Sequence, residues 1–143
     1  MKVFIDSDHH GVDFIKPICN WLEPKYEFHY VNYGIDKPYP LVASNIVKYV
    51  SENPDSRAIL ICSTGIGMSI VANKFKGISA NNCSSVLECE NFRKNNDGNI
   101  LCLGSDFITI DLALEICESF FNTDFEVSHQ DRINLIQKLH YGN

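Results

Sequence analysis

The sequence lacks apolar runs long enough to cross a bilayer, and it has no excess of basic residues. Its longest apolar runs are far shorter than the roughly 20 residues that a membrane helix needs. The first ten residues, MKVFIDSDHH, reach charged side chains within a few positions, so we expect no signal peptide or anchor. The net charge of the 143 residues is −6 and no basic cluster interrupts it, which argues against nucleic acid or an acidic membrane as a partner.

Sequence patterns for metal sites and nucleotide cofactors are absent as well. The six cysteines include no Cys-x-x-Cys pair, and the five histidines are too scattered to indicate a zinc site. Most cysteines fall in predicted strands or helices and nothing indicates secretion, so we expect reduced thiols in a cytoplasmic protein. The glycine-containing turn at residues 63–67 matches neither the dinucleotide fingerprint nor the phosphate loop of NTPases. We therefore expect neither a metal nor a cofactor.

What the sequence does contain is a regular alternation of apolar runs with helical patterns. The apolar runs predict strands over residues 3–5, 26–33, 58–62, 77–82 and 100–103. Apolar residues at helical spacing predict helices over 12–22, 40–50, 68–74, 85–93, 108–121 and 132–139. Without repeats, linkers or low-complexity segments, this alternation is typical of a single α/β domain covering residues 1–143. We predict a Rossmann-like three-layer α/β/α sandwich with a parallel sheet of about five strands.

The stretch at residues 57–74, RAILICSTGIGMSIVANK, contains the strongest functional signal. Its apolar run has no polar alternation, which predicts a strand buried on both faces, as in parallel sheets. Gly65 and Gly67 then allow a sharp turn into a helix, whose first N–H groups face the space above the strand. Cys62, Ser63 and Thr64 lie at this turn, so we expect it to bind an anionic ligand or to stabilise a developing oxyanion. Taken alone, the turn also has a purely structural explanation, in which Cys62 is a small buried hydrophobe.

Polar side chains also follow two other predicted strands. Asp8 and His9 come after the first strand, and Gly104, Ser105 and Asp106 come after the fifth. Doubly wound sheets collect ligand-binding groups at the carboxyl ends of their strands, so three polar clusters at strand ends indicate a functional site. The structural alternative for Asp8 is a cap on the next helix, and for His9 it is an ordinary surface position.

Several longer motifs connect these features to a known family. They are SDHHG near the N-terminus, Tyr39-Pro40, LICSTGIGMSIVANKFKGI, FRKNNDGNIL, LGSD and SHQDR. Through these motifs nearly the whole chain resembles the ribose-5-phosphate isomerase B family, which also contains the galactose-6-phosphate isomerase subunits. The resemblance implies a Rossmann-like fold and a homo-oligomer, a dimer or larger, with active sites at subunit interfaces. It also implies an aldose–ketose isomerase of the pentose phosphate pathway.

The resemblance implies a catalytic centre at the central turn. It makes Cys62 the base that removes the C2 proton of the opened aldose, with Thr64 as its partner. Backbone N–H groups from Gly65 to Ser69 would hold the oxygen of the enediolate. A helix N-terminus stabilises both a neighbouring thiolate and an enediolate, so the residue chemistry agrees with the resemblance. This reaction requires a base, an acid and oxyanion donors, but no cofactor.

The substrate-binding residues that the resemblance implies come from several parts of the chain. Asp8 and His9 would contact sugar hydroxyls and phosphate, and His129 with Arg132 would bind the phosphate. A polar loop around Asn96 would reach the site from across the subunit interface. The full set of predicted substrate-binding residues is Asp8, His9, Tyr39, Ser63, Gly65, Gly67, Ser69, Asn96, Asp97, His129 and Arg132.

Four positions depart from the family pattern. Asn95 replaces the His that is thought to open the sugar ring, and Asn cannot act as a general acid at neutral pH. Asp106, Ser128 and Ser79 stand where relatives have Arg. Arg–phosphate contacts are among the stronger hydrogen bonds, so losing them should weaken phosphate binding. Asp106 would in addition repel a phosphate if it points inward.

These departures leave three hypotheses about function. The first is an isomerase of a phosphorylated pentose or hexose, with ribose 5-phosphate as the default substrate and proton exchange at C2 that depends on Cys62. The second is an isomerase of a different sugar, including an unphosphorylated one, which the missing Arg residues favour. The third is a non-enzymatic, ligand-binding subunit of a mixed oligomer, which Asn95 favours. Because Cys62 and Thr64 are retained, we favour an enzyme.

Overall fold

The computed structural model describes residues 1–139, in which five strands form one sheet. The strands are β1 (Lys2–Ser7), β2 (Glu27–Tyr30), β3 (Arg57–Cys62), β4 (Ala80–Asn82) and β5 (Ile100–Gly104). Their order across the sheet is β2-β1-β3-β5-β4, and every neighbouring pair is parallel. The predicted parallel sheet of about five strands is therefore confirmed.

Helices connect the strands and cover both faces of the sheet. They are α1 (Ile15–Leu22), α2 (Tyr39–Glu52), α3 (Ile66–Ala72), α4 (Val86–Asn96), α5 (Ile110–Asn122) and α6 (Gln130–Lys138). Short 3-10 turns precede α1 and α6, at Val12–Phe14 and Val127–His129. Helices α2 and α3 pack on one face, while α1, α4 and α5 pack on the other, which confirms the three-layer sandwich. In the described part of the chain, no helix is long and apolar enough to cross a membrane.

The central strand β3 is buried on both of its faces. Ile59 and Ile61 belong to the core that the sheet forms with α1, α4 and α5. Leu60 and Cys62 belong to the core that it forms with α2 and α3. Burying one aliphatic side chain of this size contributes on the order of 2 kcal/mol, and both faces of β3 offer such burial. This explains why the strand shows no polar alternation, and it places Cys62 on the side of α3.

Strand β2 is shorter than the sequence predicts, ending at Tyr30 instead of residue 33. The chain turns away at Asn32, which has φ 54°, and the N–H of Tyr33 donates to Asp6 Oδ2 at 3.1 Å instead of to a strand. Burial raises the pKa of the Asp6 carboxyl, and backbone N–H groups, including those of Ser7 and Tyr33, oppose that rise. A buried carboxylate at the end of β1 thus ends the pairing with β2.

Strand β4 is also shorter than predicted, beginning at Ala80 instead of residue 77. Gly77 has φ 83°, which is a turn conformation rather than an extended one. The side-chain amide of Asn73 then makes two hydrogen bonds of 2.8 Å, one to the N–H and one to the C=O of Ala80. An amide in this position imitates a neighbouring strand for one residue. The preceding helix α3 begins at Ile66, two residues earlier than predicted.

Helix α4 continues to Asn96, three residues beyond its predicted end at residue 93. The turn comes at Asp97, which has φ 50° and ends the helix in a left-handed conformation. Arg93 is only 3% exposed, and its guanidinium donates to Thr123 O at 3.1 Å, Gly98 O at 2.6 Å and Asp97 Oδ1 at 3.1 Å. These three bonds set the end of the helix. At its start, Ser85 is the cap, and its side chain accepts the N–H of Glu88.

Candidate active site

The three polar clusters predicted from the sequence meet at one edge of the sheet. Strands β1, β3 and β5 are neighbours and parallel, so their carboxyl ends lie together. The chain leaves β1 toward β2 on one side and later enters β3 on the other, which makes the crevice between β1 and β3 a topological switch point. The N–H of Asp8 donates to Ile61 O at 3.3 Å, and that of Ser105 donates to Cys62 O at 2.9 Å. The segments after β1 and β5 are thus tied to the end of β3.

A cavity of about 430 Å³ opens at this edge, and we call it the thiol cavity. Its volume is within the range of about 300–1,000 Å³ that is typical of small-molecule sites. It is lined by Asp8, His10, Tyr39, Cys62, Ser63, Thr64, Ile66, Gly67 and Ile70. All of these except His10, Ile66 and Ile70 are among the predicted site residues. Within residues 1–139, no three His, Cys, Asp or Glu side chains come together in a way that could hold a metal ion.

Cys62 is the last residue of β3 and is only 4% exposed. Its Sγ accepts a hydrogen bond of 3.1 Å from the N–H of Gly65, which has φ 76° and so turns the chain back over the thiol. An N–H group that donates to sulfur stabilises negative charge on it. The neighbouring thiol of Cys102 on β5 has its pKa raised by full burial and, to a smaller extent, by Cys62. Cys102 therefore stays a neutral thiol beneath the cavity.

The turn that follows Cys62 presents a hydroxyl and two free N–H groups. Thr64 Oγ1 accepts the N–H of Ile66 at 3.2 Å, so its own hydroxyl hydrogen remains available to a ligand. The N–H of Ser69 donates to Gly65 O at 3.3 Å. Within the described residues, no acceptor is found for the N–H groups of residues 67 and 68, as is usual in the first turn of a helix. Gly67 lines the thiol cavity whereas Met68 is fully buried, so the N–H of Gly67 is the one that can receive negative charge on a substrate oxygen.

Two predicted binding residues in this turn have structural contacts instead. Ser69 is 8% exposed and its hydroxyl donates to Ile66 O at 2.8 Å, so it does not line the thiol cavity. The N–H of Gly65 is likewise used by the sulfur of Cys62. Of the predicted N–H donors from Gly65 to Ser69, Gly67 is the one that lines the thiol cavity with its N–H free, and its contact with an enediolate stays a prediction.

Tyr39 covers the thiol cavity from the first residue of α2. A Cβ atom on Gly67 would lie 2.3 Å from Tyr39 Cε1, so the ring rests directly on the glycine backbone. Only glycine leaves room for this contact. The pair Tyr39 and Gly67 therefore fixes the height of the cavity above the first turn of α3.

Asp8 and the two histidines after it form the turn that follows β1. Asp8 is 6% exposed, and its Oδ1 accepts the N–H groups of His10 at 3.0 Å and Gly11 at 3.2 Å. The carboxylate therefore holds the turn in the way a cap does, while it also lines the cavity. His10 lines the cavity too, whereas His9 lies outside the lining. The His9 ring packs against the His10 ring, with their centroids 3.9 Å apart. Sequence reasoning missed His10, because a turn and not a strand decides which neighbour faces inward.

The remaining predicted binding residues lie outside the thiol cavity. Asn96 and Asp97 line a larger cavity of about 1,130 Å³, which is bounded by α4, residues 73–81 and α6, and which we call the α6 cavity. The Asp97 carboxylate is paired with Arg93. His129 Nδ1 lies 3.0 Å from an Arg132 nitrogen, and both residues belong to the short segment that begins α6. One chain alone therefore does not bring these residues to Cys62.

The four departures from the family pattern lie apart from one another within one chain. Asp106 is exposed at the edge of the sheet, where its N–H donates to Ser63 O at 2.9 Å. Ser79 lines the α6 cavity, and its carbonyl accepts the N–H groups of residues 99 and 100. Asn95 lies in the last turn of α4, and Ser128 is exposed in the turn before α6. Only Asp106 stands next to the thiol cavity within one chain.

Comparison with known proteins identifies the family. The sequence profile of the family described as Ribose/Galactose Isomerase matches residues 3–136, which is most of the chain. The chain belongs to this family. The resemblance to ribose-5-phosphate isomerase B that the motifs carry is thereby confirmed, and the protein is an isomerase-family member with the fold expected for it.

Named relatives in the ribose/galactose isomerase family differ in their sugars. The 4-deoxy-4-sulfo-D-erythrose isomerase of Clostridium sp. is 38% identical over 131 residues, covering 87% of this chain and 81% of that protein. The D-erythrulose-4-phosphate isomerase of Pectobacterium atrosepticum is 32% identical, covering 88% of this chain and 86% of its own length. Ribose-5-phosphate isomerase B of Clostridium thermocellum superposes with a TM-score of 0.90 at 34% identity, covering 96% of each chain.

Proposed function

We propose that the protein is an aldose–ketose isomerase that interconverts ribose 5-phosphate and ribulose 5-phosphate, with Cys62 as the base at C2. The observation that supports this most directly is the position of the Cys62 thiol. It lines a sugar-sized cavity at the end of the central strand, next to the N–H of Gly67, which can receive an oxyanion. The proposal places the enzyme in cytoplasmic pentose phosphate metabolism.

The proposed reaction uses the groups of the thiol cavity in sequence. The Cys62 thiolate removes the C2 proton, the electron pair of that bond forms the C1–C2 double bond, and the carbonyl electrons move to O1. The N–H of Gly67 stabilises this cis-enediolate, and the free hydroxyl hydrogen of Thr64 donates to a sugar oxygen. A proton then passes from O2 to O1, the electrons of the O2–H bond form the C2 carbonyl, and the electrons of the C1–C2 double bond take a proton from the Cys62 thiol at C1, which yields the ketose.

We propose that a second copy of the chain completes the site and binds the phosphate. The described residues that line the thiol cavity include no Lys or Arg, so the phosphate needs a cation from elsewhere. Arg132, with His129, is the predicted phosphate group and lies away from this cavity within one chain. Ile66 and Ile70 at the cavity are 46% and 57% exposed, an apolar surface next to a polar site that a subunit contact would cover. A homo-oligomer, a dimer or tetramer, accounts for both features.

A second candidate substrate is a four-carbon sugar with an anionic group at C4. Two relatives of this chain are named for such sugars, and they are 38% and 32% identical to it. Because O4 of a four-carbon 4-phosphate is substituted, this sugar cannot close a five-membered ring. An enzyme with Asn95 in place of a ring-opening His would not need that step for such a substrate.

The first experiment measures turnover of ribose 5-phosphate, D-erythrose 4-phosphate and galactose 6-phosphate by the purified protein. Cys62→Ala should lower kcat/KM by about 10³-fold or more because it removes the base. Cys19→Ala is the matched control, since Cys19 is a partly buried thiol in α1, and it should keep wild-type activity. Asn95→His should raise turnover of ribose 5-phosphate several-fold and leave that of D-erythrose 4-phosphate unchanged.

Each alternative has its own outcome in this experiment. Turnover that survives Cys62→Ala contradicts the assignment of the base. Turnover of D-erythrose 4-phosphate alone replaces ribose 5-phosphate as the substrate while it keeps the reaction. Binding of a sugar phosphate without turnover of any of the three sugars would support the non-enzymatic subunit instead.

A further inference from the structure

The imidazole of His10 lines the thiol cavity, but the reaction proposed above gives it no role. Four side chains in the lining can gain or lose a proton: Asp8, His10, Tyr39 and Cys62. Imidazole is the side chain that most readily both donates and accepts a proton near neutral pH. Isomerisation requires such a group, because O1 must gain a proton and O2 must lose one as the aldose becomes a ketose.

Hydrogen bonds hold His10 in a defined place relative to Cys62. Ser105 Oγ donates to His10 O at 3.0 Å and also lies 3.3 Å from Cys62 O. One hydroxyl group on the segment after β5 therefore contacts both residues. On the other side, the N–H of His10 donates to Asp8 Oδ1, and the N–H of Asp8 donates to Ile61 O. The turn that carries the imidazole is thus fixed to the strand that carries the thiol.

The other candidates in the lining have contacts that suit them less well for proton transfer. Asp8 is nearly buried, and one of its oxygens already accepts two backbone N–H groups. Protonating this carboxylate would weaken the bonds that hold the turn. The Tyr39 ring rests on Gly67, and a phenol exchanges protons near neutral pH less readily than an imidazole does. His10 is exposed to the cavity and to solvent, and the bonds described for it use its backbone and leave the ring nitrogens available.

We propose that His10 is the catalytic acid and base that moves the proton between O1 and O2 of the enediolate. This inference rests on the proposed isomerase function. After Cys62 has removed the C2 proton, imidazolium donates its proton to O1 and becomes neutral. The neutral imidazole then takes the O2 proton, the O–H electrons form the C2 carbonyl, and the electrons of the double bond take the proton of the Cys62 thiol at C1. Both side chains return to their starting states, so no other reactant is needed.

His9 is placed to assist this transfer but not to perform it. Its ring packs on that of His10, and it lies outside the cavity lining. The titratable groups around the His10 imidazole are Asp8 and His9 in its own turn, Cys62 at the end of β3 and Tyr39 at the start of α2. Cys62 and His10 thus stand on adjacent strand ends with complementary roles, one acting at carbon and the other at oxygen.

The test follows the C2 proton separately from the complete reaction. Ribose 5-phosphate and D-erythrose 4-phosphate are each incubated in D2O with the wild-type protein, His10→Gln, His10→Ala and Cys62→Ala. NMR measures deuterium at C2 of the recovered aldose, and a coupled assay measures the ketose. His29→Gln is the matched control, because His29 lies on β2, outside the cavity lining, and packs on Phe4 and Tyr49. Thermal unfolding checks that each variant is folded.

We expect the His10 variants to form ketose more slowly, while deuterium exchange at C2 falls by a smaller factor. Both His10 variants should form ketose about 100-fold more slowly, since general acid–base catalysis typically contributes a factor of that size or more. The ratio of C2 deuterium incorporated to ketose formed should rise by about 10-fold or more, because the enediolate then returns to the aldose. Cys62→Ala should lose both C2 deuterium exchange and ketose formation, and His29→Gln should keep both at the wild-type level.

Two results would overturn the inference while leaving the isomerase intact. One is wild-type ketose formation by the His10 variants, and the other is an equal loss of exchange and ketose formation, which a structural role would produce. If the wild-type protein neither exchanges nor isomerises either sugar, the proposed function fails and the assignment of His10 fails with it.

Discussion

The thiol cavity and the α6 cavity differ in size and in chemistry. The thiol cavity is the smaller, at about 430 Å³ against about 1,130 Å³, yet it contains Cys62, His10 and the first turn of α3. The α6 cavity is lined mainly by residues 73–81 and by α4 and α6, including Asn96 and Asp97. Its walls offer amides, two carboxylates, two lysine ammonium groups and apolar side chains. Size alone would therefore select the α6 cavity, whereas the proposed catalytic residues line the thiol cavity.

The difference between the cavities follows from the topology of the sheet. The thiol cavity lies where the carboxyl ends of three parallel strands meet, so short polar segments from distant parts of the chain converge there. The α6 cavity lies beside the edge strand β4, which has a neighbour on one side only, and α6 covers it through a single buried residue, Ile133. We expect the thiol cavity to carry the chemistry. We expect the α6 cavity to matter for stability and for contact with another copy of the chain.

The prediction with the largest expected effect concerns the stability of the fold at the end of α4, which borders the α6 cavity. Arg93→Met removes three hydrogen bonds at the end of α4 and leaves buried carbonyl groups without a donor. We expect a loss of about 3 kcal/mol in the free energy of unfolding, measured by urea denaturation. Lys94→Met, at the next and less buried position, is the control and should cost well under half of that. A cost below about 1 kcal/mol for Arg93→Met would show that these bonds do not hold the helix end.

The second prediction tests whether the two cavities belong to one site in an oligomer. Arg132→Ala should lower kcat/KM by about 100-fold by removing the proposed phosphate contact. Mixing it with Cys62→Ala, after dissociation and reassembly, should restore about a quarter of wild-type activity if a dimer shares its sites across the interface. Half of the dimers are then hybrids, and each hybrid has one intact site. No recovery, despite hybrids seen by native mass spectrometry, would place Arg132 and Cys62 in the same chain's site or leave Arg132 outside the site.

The smallest effect separates the shape of the thiol cavity from the stability of the fold. Gly67→Ala pushes a methyl group into the Tyr39 ring and should raise KM about 10-fold with little change in Tm. Gly77→Ala is the reverse case, because its Cβ would meet nothing within 4 Å but its φ of 83° strains any other residue. It should cost about 1 kcal/mol of stability and leave KM unchanged. If both variants changed KM, or both changed stability, the shape of the thiol cavity and the stability of the fold would not be separate properties.

The sequence predicts the central strand and its thiol well because their signal is local. A strand buried on both faces must be apolar at every position, and the turn after it needs glycine at Gly65, so both features are written in consecutive residues. The start of β4 and the end of α4 are predicted poorly for the opposite reason. Their limits depend on the Asn73 amide and the Arg93 guanidinium, which reach backbone groups that are close in space.

The residues of the candidate site likewise divide into those that a local motif predicts and those that depend on the folded structure. Cys62, Thr64 and Gly67 are predicted from one continuous motif, and the structure places all three around the thiol cavity. His10 is missed, since the choice between two adjacent histidines depends on how Asp8 holds the turn. The roles predicted for Asn96 and Arg132 remain predictions, because one chain does not bring them to the cavity.

The sequence by itself determined the α/β class, the strand that carries Cys62 and the turn that follows it. Each of these depends on the order of apolar residues and glycines within a few positions, and burial and backbone sterics act on that order directly. Only the tertiary structure decided which polar side chains share a cavity. That outcome depends on the β2-β1-β3-β5-β4 order and on bonds such as those of Ser105 to His10 and to Cys62, which join residues 95 and 43 positions apart, respectively.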